Sequence, residues 1–76
     1  MKLSPQTAPV EPDNLLIRFH NQVGAALDIT GTRTSSRWYC HGCGYRSTLL
    51  EGVLITRQAA NSHAATCRAA YHRLGA

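Results

Sequence analysis

Three cysteines and one histidine of this 76-residue chain are spaced like the ligands of a metal ion. Two residues separate Cys40 from Cys43, nineteen residues follow, and three residues separate His63 from Cys67. Two thiolates this close can hold one ion from a tight turn, and residues four apart on a helix share a face. Four such ligands close a tetrahedron and leave no position for water or substrate. The spacing therefore predicts a structural Zn²⁺ site rather than a catalytic one.

Other interpretations of these side chains stay open. Cys40 and Cys43 can form a redox pair assisted by His41, although that chemistry needs a thioredoxin-like context for which the chain is too short. Cys67 can also be a small buried residue and His63 a polar helix residue. An iron–sulfur cluster is disfavoured, because three cysteines fall short of the usual four ligands.

The other histidines fit the metal site less well. His72 can replace His63 in principle, but helical spacing puts it on the opposite face. His41 lies inside the tight turn and cannot easily fold back onto the same ion. His20 belongs to a different element, and we expect it at the surface.

The elements that must position the ligands follow from hydrophobic spacing. Asp13 or Asn14 can cap a helix, and an apolar stripe follows at helical spacing, made of Leu15, Leu16, Phe19, Val23, Ala26 and Leu27. The alternation of Leu15, Ile17 and Phe19 leaves a strand as the alternative. Residues 29–34 and 37–40 predict a short β-hairpin that runs directly into Cys40.

A long alanine-rich helix is predicted after the cysteine turn. Thr48 to Glu51 has the spacing of a capping box, and the helical pattern runs to about Arg73. Leu50 and Leu54 fall opposite His63, so the helix bends near Gly52 or its main part starts near Ile55 or Thr56. We therefore expect a small α+β zinc-stabilised domain over residues 13–76, with an N-terminal helix, a hairpin with a zinc knuckle and a long C-terminal helix. Residues 1–12 hold all three prolines and predict a flexible tail.

Composition narrows the class of protein. The net charge is +4 and seven of the eight basic residues are arginines, which favours nucleic acid or an acidic protein partner. No apolar run is long enough for a membrane span. The N-terminus has no secretory signal, and the odd number of cysteines argues against a secreted disulfide framework, so we expect a cytoplasmic protein. Ten alanines with one lysine suggest a bacterial source. The four carboxylates show no paired spacing, so an enzyme is not expected.

The stretch from Trp38 to about Arg73 resembles a single C2HC variant of the classical ββα zinc finger. It is also similar to small, mostly uncharacterised Cys/His proteins of actinobacteria and their plasmids and phages. The residues that carry the likeness are Trp38, Cys40, Cys43, Gly44, Ala59, Ala60, His63, Ala64, Ala65 and Cys67. The resemblance implies a structural zinc on the three cysteines and His63, and more weakly DNA binding. The classical finger spaces its ligand pairs by about twelve residues, so the longer spacing shifts the helix start.

Two functions follow as hypotheses. The first is a DNA-binding module that regulates transcription, with base contacts from Arg57, Asn61, Arg68 and His72 and phosphate contacts from Arg33, Arg37 and Arg46. The second is a protein-interaction adaptor that presents Leu50, Leu54, Trp38 or Tyr45. A homodimer through Leu15, Phe19, Val23 and Leu27 would enlarge a DNA interface. The polar helix face can equally be only solvated.

Overall fold

The computed structural model describes residues 9–69, and these form three strands followed by one helix. The strands are β1 (Leu15–His20), β2 (Ala26–Gly31) and β3 (Ser36–Cys40), and the helix is α1 (Val53–Thr66). The strands make one antiparallel sheet in the order β1-β2-β3, and α1 packs across one face of it. The fold is therefore a small α+β unit. Most of the predicted tail and His72 lie outside the described residues.

The predicted N-terminal helix is wrong, because this region forms the hairpin β1–β2. Residues four apart share a face in a strand as well as in a helix, so the spacing of Leu15, Phe19, Val23 and Leu27 does not separate the two structures. The alternation of Leu15, Ile17 and Phe19 was the better guide, and Ile17 and Phe19 pack against the core.

The turn between β1 and β2 explains why a helix cannot form there. The Asn21 side-chain carbonyl accepts hydrogen bonds from the backbone N–H groups of Val23 and Ala25, at 3.0 and 2.9 Å. Gly24 has a φ of 91°, a left-handed conformation that favours glycine. An asparagine that bonds the backbone two residues on is typical of turns, and here it reverses the chain.

The predicted second hairpin exists, with strands displaced from the predicted ranges. It joins β2 to β3 through residues 32–35, where Thr32 and Ser35 exchange backbone hydrogen bonds of 3.0 and 3.3 Å. Gly31 has a φ of 114°, and a side chain there would collide with the backbone of Ser35 and Ser36. The first strand of this hairpin, β2, is the central strand of the sheet, because β1 pairs with its other edge.

Helix α1 begins between the two starts that the sequence allowed and ends earlier than predicted. It begins at Val53 after Gly52, so the capping box at Thr48 is not used, and it ends at Thr66 instead of near Arg73. Thr56, Ala60 and Ala64 are its buried positions, and the sheet-facing core contains Leu27, Ile29, Trp38, Cys40, Ala60 and Ala64. No helix within residues 9–69 is long and apolar enough to cross a membrane.

The outer edge of β3 is occupied by the segment that connects the cysteine turn to α1. Ser36 and Glu51 exchange backbone hydrogen bonds of 2.8 and 2.9 Å, Ser47 donates to Trp38 at 3.0 Å, and Cys40 donates to Tyr45 at 2.8 Å. The Ser36 hydroxyl also bonds Thr56 of α1 at 2.8 Å. This segment thus fixes the last residue of β3 and the start of the helix together.

Candidate metal centre

The four predicted ligands converge on one point between the end of β3 and the end of α1. The sulfurs of Cys40, Cys43 and Cys67 and a ring nitrogen of His63 all lie within 4.8 Å of one another. Cys40 is buried and the other three are half-buried. The nineteen-residue spacing is accommodated by the chain that runs back along β3 before α1 begins.

Two of the separations match those of a tetrahedral zinc site. With Zn–S bonds of about 2.3 Å and Zn–N bonds of about 2.0 Å, two sulfurs are about 3.8 Å apart and a sulfur and a nitrogen about 3.5 Å apart. The Cys40 and Cys67 sulfurs are 3.9 Å apart, and the Cys43 sulfur is 3.3 Å from His63 Nε2. All three cysteines are free thiols. Three sulfurs and one imidazole form a Cys₃His set of the kind that can hold a metal ion.

The turn from Cys40 to Gly44 directs backbone N–H groups at a sulfur. The backbone N–H groups of Gly42 and Cys43 both bond the Cys40 sulfur, and Gly44 donates to the Cys40 carbonyl at 2.8 Å. Gly44 has a φ of 83°. Gly42 is required for a different reason, because a Cβ there would lie 2.8 Å from the Asn21 amide nitrogen and collide with the Ala69 carbonyl.

The buried environment of Cys40 disfavours its thiolate unless a cation is bound beside it. Burial raises the pKa of the Cys40 thiol to about 12, despite the two N–H groups that favour its thiolate. A thiol with that pKa stays protonated at neutral pH, whereas a coordinated thiol is deprotonated outright. Burial also acts to raise the pKa of Cys67, but hydrogen bonds from the Ala69 backbone and the Asn21 amide hold it below its ordinary value. A bound dication would supply the stabilisation that Cys40 lacks.

Two aromatic rings orient the histidine ligand. The ring of His63 lies 4.9 Å from Trp38 and stacks 5.7 Å from Tyr45, and the two aromatic rings stack on each other at 5.3 Å. Trp38 is buried and Tyr45 is 60% exposed. The rings restrict the imidazole to an orientation in which Nε2 faces Cys43 and shield one side of the cluster from water.

The fourth ligand comes from just beyond the helix. Cys67 has an extended backbone (φ −76°, ψ 132°), and its N–H closes the last turn on the His63 carbonyl at 2.9 Å. The Cys67 carbonyl accepts from the Gln22 backbone at 2.9 Å, so the first hairpin turn fixes this segment. His63 and Cys67 lie close together as their spacing predicts, but Cys67 is not helical, because it is the extended cap residue after a helix that ends at Thr66.

Asn21 supports the site and was not predicted. Its side chain is buried, and Nδ2 lies 3.3 Å from the Cys67 sulfur and 2.7 Å from the Ala69 carbonyl, while Oδ1 holds the β1–β2 turn. One amide therefore links the first hairpin to a ligand from the other end of the fold. The Asn-x-x-Gly spacing signals a turn at this point, but nothing in the sequence indicates the contact with Cys67.

His41 and His20 are not among the four clustered side chains. His41 Nε2 lies 3.0 Å from Asp28 Oδ2, and the guanidinium of Arg18 binds the same carboxylate at 2.6 and 2.8 Å. Burial acts to raise the pKa of Asp28, but the hydrogen bonds and charges of Arg18 and His41 lower it below its ordinary value of 3.8. His20 is exposed at the end of β1.

The residues predicted to bind nucleic acid lie on two sides of the molecule. Arg57 and Asn61 are exposed on α1, where they line a shallow groove of about 230 Å³ with Phe19 and Gln58. Arg68 is exposed beyond the end of the helix. Arg37 and Arg46 are exposed on β3 and on the segment that pairs with it. The sheet therefore separates Arg57 and Asn61 from Arg37 and Arg46.

Comparison of the chain with protein-family models, with curated proteins and with solved structures finds no match. The resemblance to a zinc finger thus has support only in the geometry of the Cys₃His cluster.

Proposed function

We propose that the chain is a zinc-stabilised module in which the Cys₃His cluster holds one structural Zn²⁺. The convergence of the four ligand atoms within 4.8 Å supports this proposal more directly than any other observation. Cys40 and Cys43 would bind from the turn, His63 from the end of α1 and Cys67 from the extended residues after it. The ion would then join β3 to the end of the helix, and no ligand position would remain for a substrate.

The mass of the intact chain under native conditions tests the zinc site. We expect one zinc per chain, lost on addition of a chelator, and we expect Cys43→Ser to weaken zinc retention strongly. Ser62→Ala, one residue from His63 but exposed, is the matched control and should retain the metal. A reduced, metal-free chain that gains no mass from added zinc contradicts the assignment.

We further propose that this module binds nucleic acid. Arg18 and Asp28 neutralise each other, so among residues 9–69 five exposed arginines outnumber the three exposed carboxylates of Glu11, Asp13 and Glu51. The full chain carries a net charge of +4. An excess of exposed guanidinium groups suits phosphate recognition. We also propose that the chain regulates transcription by binding DNA in the cytoplasm of a bacterium.

A salt titration tests nucleic-acid binding. The zinc-loaded chain should bind labelled DNA at low salt, and the logarithm of the binding constant should fall linearly with the logarithm of salt concentration. Each phosphate contact contributes about 0.7 to 0.9 to the slope, so the slope also counts the arginines that participate. Absence of binding to both duplex and single-stranded DNA at low salt contradicts the proposal.

The adaptor is the second candidate, and an exposed apolar cluster favours it. Leu49, Leu50, Leu54 and Ile55 are 52–68% exposed at the start of α1. Trp38, which the sequence analysis assigned to such a patch, is buried and belongs to the core. Side chains of this size gathered at one end of a helix are typical of protein contacts.

Sedimentation at increasing concentration tests the simplest form of this candidate, a homodimer through the leucine cluster. Leu50→Ser with Leu54→Ser should remain monomeric where the unmodified chain associates. Arg57→Ala, on the same helix, should behave like the unmodified chain. Two results together contradict the adaptor. The unmodified chain stays monomeric at every concentration, and it binds no protein partner that the double variant fails to bind.

A further inference from the structure

One face of the sheet carries basic and aromatic side chains that the metal centre does not use. Directly paired residues on neighbouring strands point to the same face. The register therefore places one residue from each strand and one from the segment beside β3 in a single row, which consists of Arg18, Asp28, Tyr39 and Arg46. The alternate positions, including Leu27 and Trp38, pack in the core with Ala60 and Ala64 of α1. The row thus lies on the face away from the helix.

The β1 half of this face is covered and neutralised. Asp28 is 2% exposed between Arg18 and His41, so it presents almost no negative charge to solvent. The Pro9 carbonyl accepts a hydrogen bond of 2.8 Å from Arg18, which places the N-terminal segment over this half. The β3 half is the accessible part of the face.

The accessible half is a basic-aromatic strip that consists of Arg37, Tyr39, His41 and Arg46. Arg37, Tyr39 and His41 alternate along the chain and span roughly 13 Å in an extended strand. Arg37 and Arg46 are exposed, Tyr39 is half-buried, and the ring of His41 meets Tyr39 at 4.7 Å and 83°. Apart from Asp28, the carboxylates described in residues 9–69 lie in the N-terminal segment or, for Glu51, opposite Ser36 on the other face. The strip itself therefore carries two guanidinium groups and no carboxylate, and it has an aromatic ring at its centre.

We propose that the basic-aromatic strip binds single-stranded nucleic acid, with an unpaired base on Tyr39 and phosphates on Arg37 and Arg46. This inference rests on the proposed nucleic-acid function and adds its ligand class and its surface. An aromatic side chain on an open sheet face stacks a splayed base, whereas the paired bases of a duplex are not available for stacking. Two guanidinium groups beside the ring suit the phosphates on either side of that base.

The experiment measures fluorescence anisotropy of the zinc-loaded full chain with two labelled probes at low salt. One probe is an oligo-dT of about 12 nucleotides, within the range that single-strand-binding sheets cover. The other is a duplex of equal length. We expect tighter binding to oligo-dT, a loss of about ten-fold for Tyr39→Leu, and little change for Tyr39→Phe, because phenylalanine keeps the stacking ring.

Arginine variants separate the strip from general electrostatic attraction. Arg37→Ala and Arg46→Ala should each weaken oligo-dT binding several-fold and lower the salt slope by about 0.7. Arg57→Ala removes the same charge from the opposite side of the sheet and is the matched control, for which we expect little change. Circular dichroism and zinc content confirm that each variant is folded.

Three results overturn the inference. Equal losses for Arg57→Ala and Arg37→Ala, an unchanged affinity for Tyr39→Leu, or preference for the duplex would each exclude the strip as the single-strand site. Binding that is lost instead with Arg57→Ala or Asn61→Ala leaves the proposed nucleic-acid function standing and moves it to α1. Absence of binding to either probe at low salt removes the inference and the proposed function together.

Discussion

The two edges of the sheet differ in what completes them. The outer edge of β3 pairs with residues 45–51, and the same segment leads from the cysteine turn into α1. Among residues 9–69, no strand pairs with the outer edge of β1. The β3 edge therefore depends on residues that the metal centre holds, whereas β1 depends on the β1–β2 turn and the Arg18–Asp28 pair. Bound zinc would therefore stabilise the β3 edge, whereas the β1–β2 hairpin is stabilised by its own contacts.

Metal removal gives the largest expected effect. Structural zinc supplies roughly 10 kcal/mol or more in zinc-finger peptides, which exceeds the stability that a core this small can provide. We expect a chelator to abolish cooperative unfolding and to deprotect the amides of Cys40, Ser47 and Glu51 along the β3 edge. Circular dichroism with amide hydrogen exchange measures both. If the metal-free chain keeps a cooperative transition and these amides stay protected, the β3 edge does not depend on the metal.

Breaking the buried ion pair gives the next effect, and it acts on the β1 side. Asp28→Asn removes the partner of a guanidinium that is only 12% exposed, and we expect unfolding to become easier by roughly 3 kcal/mol. Urea denaturation of the zinc-loaded chain measures the loss. Glu11→Gln removes the same charge from an exposed position and should change stability by less than about 0.5 kcal/mol. Equal effects of the two variants would mean that the pair contributes nothing specific.

The pH dependence of this pair has a definite sign. The pKa of Asp28 is lowered on folding, so its contribution is complete above 3.8, the ordinary value for aspartate, and is lost as the pH falls through the lower folded value. The stability difference between the unmodified chain and Asp28→Asn should therefore not shrink from pH 7 down to pH 5. Denaturation curves at these two pH values measure it. A difference that shrinks between them contradicts the lowered pKa.

Asn21 connects the two regions and should give a smaller effect. Asn21→Ala removes the donor to the Cys67 sulfur and the acceptor for two turn N–H groups, with a loss of about 1–3 kcal/mol. Asn21→Asp keeps the acceptors and places a negative charge beside the sulfur. Competition with a chromogenic chelator should show weaker zinc binding for both variants. If only Asn21→Ala weakens zinc binding, the role of Asn21 is confined to the turn.

The smallest expected effect is a difference in amide hydrogen exchange between neighbouring residues of β1. Asn21 N–H bonds the Ala25 carbonyl, so the alternation of an antiparallel ladder points the amide of Phe19 toward β2 and that of His20 outward. We expect faster hydrogen exchange at His20 than at Phe19 in the metal-loaded chain. Strong protection of the His20 amide would show that the β1 edge is covered in solution.

The clustering of the four candidate metal ligands could be predicted from the sequence, whereas the fold around them could be predicted only in part. Ligand residues carry their chemistry in their types and spacing, so Cys40, Cys43, His63 and Cys67 were identified without a fold. The helix prediction is wrong for the first hairpin because a spacing of four residues satisfies both structures, and the turn formed by Asn21 and Gly24 excludes the helix. The helix was overextended because alanines favour a helix locally, whereas Cys67 is held extended by Gln22 from a distant turn.

The separation of Arg37 and Arg46 from Arg57 also needed the structure. The sequence suggests that all three are exposed cations, and they are. Which side of the sheet each occupies depends on strand register and on the pairing of Arg46 with Tyr39, which begins only after the chain has turned at Gly44. The sequence alone therefore does not show that these arginines lie on two sides of the sheet.

The contact between Trp38 and His63 has a practical consequence. The chain has one tryptophan, and its ring lies 4.9 Å from the imidazole of the cluster and stacks on Tyr45. Indole emission responds to contacts with neighbouring rings and with solvent, so it should change when an ion occupies the cluster. Metal loading can then be followed by intrinsic fluorescence, without attaching a dye.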